Sequence, residues 1–245
     1  MEFVHSVNYT VEPIHLDRFG RVKPSVYLYF AQEAAEDHCH LLGTDWNAMA
    51  EKGLFWAVIR QRIEVLRQPR MGEKITVQTW PMPTTRVAYP RATAGFDEQG
   101  QEIFRVISLW VIMDVKTRQM VLPGNSGVTV EGTLRGCEMR TPPSLAPKGL
   151  ENSTSRSVVY SELDRNGHMN NTRYLDWLSD LLPSSHHRDN PPKAITVCYH
   201  AEALEGQQLR LDWGLQENVL TLDAHLGKTD VSREEKRIFT AKMEF

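Results

Sequence analysis

An α+β fold built from one unit used twice is what this 245-residue chain predicts. Two observations carry the prediction. LDRFGRVKPSVYLYF at 16–30 and LDRNGHMNNTRYLDW at 163–177 align at an offset of 147, with identities at Leu16/Leu163, Asp17/Asp164, Arg18/Arg165, Gly20/Gly167, Tyr27/Tyr174 and Leu28/Leu175. Ordinary composition would give roughly one identity in such a window. In both copies a helix pattern is followed by consecutive strand patterns, the signature of an antiparallel sheet wrapped on a helix. Gly72 in RMGEKITVQ and Gly206 in LEGQQLRLD extend the repeat, as do EIF at 102–104 and RIF at 237–239. Two copies of so long a period make paired domains rather than a solenoid.

The elements follow in order. Ser6–Glu12 alternates as a strand does. Val26–Leu42 carries apolar residues at helical spacing, with Pro24 near its start and Gly43 just past its end. FWAVIRQRIEV, KITVQTW, RVAYPRATAGF and IFRVISLWVIMDV are rich in β-branched and aromatic residues and read as strands, and DEQG at 97–100 reads as a hairpin turn. PGNSG and TPPSLAPKG fill 123–150 with turn chemistry. The domains are therefore placed at 1–130 and 153–245, with a linker over 131–152. In the second, Ser157–Glu162 is predicted as a strand and Thr172–Leu182 as a helix that Asn170 or Asn171 caps. LLPSSHHRDNPPK at 181–193 is predicted as a loop, and AITVCYHAEAL, QLRLDWGLQ and RIFTAKMEF as strands.

Composition narrows the function. A net charge of −3 argues against nucleic-acid binding, and no apolar run is long enough for a membrane span. The first residues, MEFVHSVNYTVEP, do not read as a secretory signal. Cys39, Cys137 and Cys198 are odd in number, far apart and without a CxxC, so free thiols and a cytoplasmic location are expected. There is no GxGxxG, P-loop or GxSxG. His38 and His40, near Asp37 and Cys39, have poor metal-ligand spacing, and His186 and His187 are expected to be solvated loop residues. Arg60–Arg91 holds seven Lys/Arg against Glu64 and Glu73. Such an excess is usually a solvated strand face, and part of it could steer an acidic partner.

Asp164, Asn166, His168, Asn170 and Asn171 cluster at the mouth of the second helix. Helix-end N–H groups can hold a polarised carbonyl oxygen. Asn is a fixed donor, and His transfers protons near neutral pH. Asp, Asn and Gly are also ordinary turn residues. The first copy, however, makes the same turn with Phe19, Arg21, Lys23 and Pro24, so the turn itself does not require Asn and His.

LDRNGHMNNTRYLDW resembles the D-x-N-x-H-x-N-N signature of the plant-type acyl-[acyl carrier protein] thioesterases, and WAVIRQRIEV and WVIMDVKTRQMVLP resemble that family's first-domain strands. The resemblance implies a tandem double hotdog, each half a long helix wrapped by a curved antiparallel sheet, with the two sheets continuous. It implies catalytic roles for Asp164, Asn166, His168 and, in YHAEAL, Glu202. The position where plant members carry a Cys is Ala203 here, which disfavours a thiol nucleophile. Gln68 stands opposite Glu202, so the first domain is expected to be silent.

The implied activity is hydrolysis of fatty acyl-[acyl carrier protein] without metal or organic cofactor. Acyl carrier protein would be the partner, no nucleic acid is involved, and a homodimer is left open. The first domain would hold the acyl chain, with Trp56, Val58 and Ile59 lining it, and Asn170 and Asn171 would contact substrate. Glu202 and His168 would activate water, Asn166 and helix N–H groups would hold the thioester oxygen, and Asp164 would position Asn166 or His168. Direct attack by Asp164 through an anhydride is an open variant. The rivals are an acyl-CoA thioesterase on the same fold and a non-enzymatic acyl-thioester sensor. Chain length depends on tunnel depth and cannot be read from sequence.

Overall fold

The computed structural model describes residues 3–135, 141–227 and 235–245. The chain divides into two compact units, Met1–Pro142 and Pro143–Phe245. The expected linker over 131–152 lies partly, and Cys137 wholly, outside the described residues.

In the first unit, β1 (His5–Thr10) precedes a 3-10 turn and α1 (Pro24–Leu41). Pro24 occupies the first helical turn, where no N–H is missed. At the other end Gly43 takes φ 65°, its N–H reaches His40 O at 3.2 Å, and the Thr44 N–H reaches Cys39 O at 2.9 Å. These two bonds form a Schellman cap. Val26, Tyr27, Leu28, Phe30, Ala31, Ala34 and Ala35 are buried, and α1 packs on β1, β3 and β5. Burying each large apolar side chain contributes about 1.5–3 kcal/mol, so this face fixes the helix on the sheet.

A short helix, α2 (Trp46–Glu51), follows. It is capped by Asp45, whose carboxylate accepts the Ala48 N–H at 3.0 Å. Then come β2 (Leu54–Val65), β3 (Lys74–Pro81), β4 (Tyr89–Phe96), β5 (Glu102–Asp114), the two-residue β6 (Met120–Val121) and the four-residue α3 (Pro123–Ser126). The strand order is β1-β3-β4-β5-β2, antiparallel throughout, with β6 on β5. The Asp97–Gly100 turn closes β4 to β5 through a 2.9 Å bond. A bulge between Val58 and Arg60 interrupts the β2–β5 register at Ile59.

In the second unit, β7 is Asn152–Ser157 and α4 is Arg173–Asp180, followed by α5 (Ser184–Asp189), β8 (Ala194–Tyr199), β9 (Gln208–Gln216), β10 (Val219–Leu226) and β11 (Lys236–Glu244). The order is β8-β11-β10-β9-β7, again antiparallel. Ring contacts of Tyr174 with Tyr199 at 5.2 Å and Phe239 at 4.7 Å seat α4 on β8 and β11. Each unit is thus a helix on an antiparallel sheet, the α+β class that the repeat implied.

Several expectations are corrected. The strand expected at Ser157–Glu162 lies earlier, at β7. Its NSTSRS sequence is mostly exposed and pairs on one side with β9, so it has no apolar alternation to reveal it. Tyr160–Glu162 is a 3-10 turn. Residues 181–193 are not a continuous loop, because Ser184–Asp189 is helical. His186 and His187 are half-buried rather than solvated: both pack near Phe245, and the His187 ring lies 2.8 Å from Ser179 O. β10 was missed. The two-residue turn before it, Glu217 and Asn218 at φ 48° and 61°, is a left-handed pair in a sequence without the glycine that normally marks such a hairpin.

Glu162 holds the second unit's turn together. It is 8% exposed. Its carboxylate accepts the Trp177 Nε1–H at 2.7 Å, the Val159 N–H at 3.1 Å and an Arg156 Nη2–H at 3.3 Å. Its backbone carbonyl accepts the Asn170 N–H at 2.8 Å. Replacing Glu162 with Ala orphans the indole and backbone donors, at a cost of about 1–3 kcal/mol for each buried group left unpaired. Glu162→Ala is expected to lower the midpoint of urea unfolding clearly, and Glu162→Gln, which keeps an acceptor, to lower it less. Equal stability of Glu162→Ala and wild type would show that the carboxylate does not hold this turn.

Candidate active site

The repeated loop has one backbone design in both units. Leu16 bridges Val22, and Leu163 bridges Met169. Asp17 N–H donates to Arg21 O at 2.8 Å, and Asp164 N–H to His168 O at 2.8 Å. Gly20 and Gly167 take φ 74° and 76° at the same step, a left-handed conformation that glycine adopts without strain. Asp17 Oδ1 accepts the N–H groups of Phe19 at 2.8 Å and Arg21 at 3.0 Å. Asp164 Oδ1 accepts those of Asn166 at 2.8 Å and His168 at 3.3 Å. The sequence therefore folds into the same turn twice, with the aspartate as its internal acceptor.

What the two loops present differs. In the first unit, Arg18 and Arg21 stack on Phe19 at 5.6 and 5.8 Å. In the second, Asn166 is exposed and its carboxamide nitrogen lies 3.5 Å from Asp164 Oδ2. His168 bridges Leu204, and the Met169 N–H donates to Ala203 O at 2.9 Å. These bonds bring the segment after β8 against the loop. His168 Nε2 then lies 3.4 Å from Glu202 Oε2. Their side chains are 20% and 41% exposed, so the pair faces solvent. Glu202 was expected on a strand, but it follows the end of β8, where the chain bends toward the loop.

The first unit's counterpart is Gln68. The bulge that turns the chain repeats there: the Leu66 and Arg67 N–H groups share Ile103 O, as those of His200 and Ala201 share Ile238 O. Gln68 Oε1 accepts the Tyr27 hydroxyl at 3.0 Å. Tyr174, the second unit's equivalent of Tyr27, is buried. Burial pushes its hydroxyl well above the ordinary phenol range, and the Asp164 and Glu202 carboxylates add to the rise. It is a neutral wall of the site.

Other predicted site residues are placed differently. Asn170 Oδ1 accepts the Thr172 N–H at 2.9 Å and the Thr172 hydroxyl at 2.8 Å, so its carboxamide oxygen is engaged just ahead of the helix. Asn171 is half-buried, and its carbonyl accepts the Tyr199 hydroxyl at 3.1 Å. The N–H groups of Thr172, Arg173 and Leu175 all have local acceptors, so the helix end does not offer them to a thioester oxygen. Trp56 lines a cleft in the first unit, while Val58 is buried and Ile59 is the bulged residue of β2; neither lines that cleft. Cys198 is buried, with its thiol 3.5 Å from Pro143 O.

Two of the seven cations of the basic stretch 60–91 are ion-paired, and a third is buried. Arg62 pairs with Glu64, Arg67 pairs with Glu73 and Asp97, and Arg91 is buried. Glu162, which positions the loop from beneath, was not singled out from sequence. The sequence pattern places it at the end of a predicted strand, and nothing there marks it as a buried acceptor. Among the described residues, no His, Cys, Asp and Glu side chains form a group of three or more able to hold a metal. No helix among them is long and apolar enough to cross a membrane.

Two family descriptions match the chain: the acyl-ACP thioesterase N-terminal domain over residues 2–122 and the acyl-ACP thioesterase C-terminal domain over 146–242. A chloroplastic palmitoyl-acyl carrier protein thioesterase of Gossypium hirsutum is 27% identical over 217 residues, covering 81% of this chain and 52% of the relative. The chain spans about half the length of the curated relatives it matches. The fold resembles that of an acyl-ACP thioesterase from Bacteroides thetaiotaomicron, with a TM-score of 0.88, 24% identity, and coverage of 99% of this chain and 97% of that one. It also resembles a 12:0-ACP thioesterase from Umbellularia californica, with a TM-score of 0.83, 19% identity, and coverage of 100% and 97%. With one family domain matched within each of its two units, the chain belongs to the acyl-ACP thioesterase family.

Proposed function

We propose that this chain hydrolyses fatty acyl thioesters carried by acyl carrier protein, releasing a free fatty acid and the carrier thiol. The observation that carries the reading is the His168–Glu202 pair, with His168 and Asn166 on a loop whose first-unit twin keeps the backbone but carries Arg21 and Phe19, and with Gln68 in the place of Glu202. A loop needed only for folding would not require them.

The chemistry follows from the groups. His168 takes a proton from water as the water oxygen bonds to the thioester carbon, and Glu202 stabilises the imidazolium that forms. The Asn166 carboxamide N–H donates to the developing oxyanion. The tetrahedral intermediate collapses, the C–S bond breaks, and the imidazolium returns its proton to the leaving sulfur. Asp164 acts as a positioning residue. One of its oxygens is occupied by two backbone N–H groups, and Asp17 makes the same two bonds in a loop without His or Asn.

The first unit holds the acyl chain and the second performs hydrolysis. The reaction uses no metal or organic cofactor and is placed in the cytoplasm. Cys198 takes no part, being buried on β8 with Ala203 beside Glu202.

His168→Ala and Glu202→Ala are each expected to lower kcat by on the order of 10²–10⁴ while the melting temperature stays close to wild type, measured with acyl-carrier-protein thioesters by thiol release. Near-normal turnover in both would remove the assignment. Asp164→Asn retains an acceptor for the two N–H groups, so it should keep measurable turnover, with Asp164→Ala more impaired. Activity abolished in Asp164→Asn with the fold intact would instead indicate attack by the carboxylate. Cys198→Ser should remain active, and inactivation by a thiol reagent traced to Cys198 and blocked by substrate would reopen thiol chemistry.

A further inference from the structure

The first unit contains a cleft, open at one side, walled by Ala35, Trp56, Tyr89, Pro90 and Val130, with Gln32 and Glu36 at its border. Its apolar wall suits a hydrocarbon chain. Arg91 also lines it, although Arg91 is only 8% exposed. A buried guanidinium ordinarily has a carboxylate partner, because an uncompensated charge in a low-dielectric site costs several kcal/mol. Arg91 has none among the described residues. Nη1 lies 3.1 Å from His38 Nδ1 and 3.3 Å from Thr79 Oγ1, and Nη2 lies 3.5 Å from Cys39 Sγ. Burial lowers its pKa, and the neighbouring Cys39 only partly offsets this.

Two more donors border the same cleft. Trp110 Nε1 and Thr44 Oγ1 are buried and have no hydrogen-bond partner among the described residues. Buried donors without acceptors are rare in folded proteins. Here a buried cation, an indole N–H and a hydroxyl share one cleft, whose other polar side chains, Gln32 and Glu36, are half-buried and exposed. A plain methyl-ended chain would bury these groups further and satisfy none of them.

We propose that this cleft receives an acyl chain whose far end carries an oxygen acceptor, a hydroxyl or carboxylate, and that Arg91 is the residue that reads that end. Trp110 and Thr44 are the supporting donors. The inference rests on the division of labour proposed above, with the chain in the first unit and hydrolysis in the second. It adds the substrate class.

The test compares pantetheine thioesters of dodecanoate, 12-hydroxydodecanoate and dodecanedioate (as its monothioester), together with shorter and longer homologues. Wild type should show kcat/KM about tenfold or more higher for an oxygenated chain than for the plain chain of equal length, in line with a charge-assisted hydrogen bond. Arg91→Met, which keeps the bulk and removes the charge, should lose that preference. Wild-type preference for the plain chain at every length would overturn the proposal, whether or not the variant folds. If no thioester is turned over, it is the hydrolase reading that fails. The cleft is then decided by quenching of tryptophan fluorescence, since Trp56 and Trp110 border it. Tighter binding of monomethyl dodecanedioate than of methyl dodecanoate, abolished in Arg91→Met, supports the proposal. Equal binding of the two overturns it.

Discussion

The carboxylate of Asp164 accepts two backbone N–H groups of the loop that it begins. The geometry of the candidate site depends on that interaction. A tight loop with a left-handed Gly167 leaves N–H groups pointing inward, and an acceptor must meet them or the loop opens. With the acceptor supplied, the backbone is set and the side chains at 166 and 168 project from fixed positions. Asp17 does the same in the first unit. The shared device explains how one loop could be kept in two copies while the groups it presents diverged.

The rest of the second site is assembled on that loop. The bridge from His168 to Leu204 and the bond from Met169 N–H to Ala203 O hold the segment carrying Glu202 against it. From beneath, Glu162 ties the preceding 3-10 turn to Trp177 on α4 and, through its carbonyl, to Asn170. The result is a solvent-facing pair on a supported backbone. That suits the proposed role, since the two groups remain reachable while their positions are set by buried contacts.

The first unit spends the same architecture differently. Tyr27 donates to Gln68 where the second unit has Tyr174 near Glu202, and Arg67 stands where the second unit has Ala201, paired with Glu73 and Asp97. These contacts close the position that is the candidate site in the second unit. Its open space lies instead beside α1, where Arg91, Trp110 and Thr44 meet an apolar wall.

The sequence alone determined what depends on local chemistry. The repeat, α1 with its proline start and glycine cap, the strands β2 to β5, and the contrast of Asn166 and His168 with Phe19 and Arg21 were all legible, because residue type and spacing specify them directly. Glu202 opposite Gln68 was legible through the glycine alignment. Tertiary structure decided what depends on distant partners. β7 exists because β9 offers it a backbone edge, and its polar sequence carries no signal of that. The turn before β10 holds two non-glycine residues left-handed because its strands pair on both sides. Asn170 turned out to be engaged by Thr172, and Arg62 and Arg67 of the basic stretch proved paired, because those partners are fixed only once the chain has folded. The burial of Glu162 and Arg91 belongs to the same class. A charged residue is by default read as solvated, and only the packing around it shows whether its charge is satisfied, as at Glu162, or left without a carboxylate, as at Arg91.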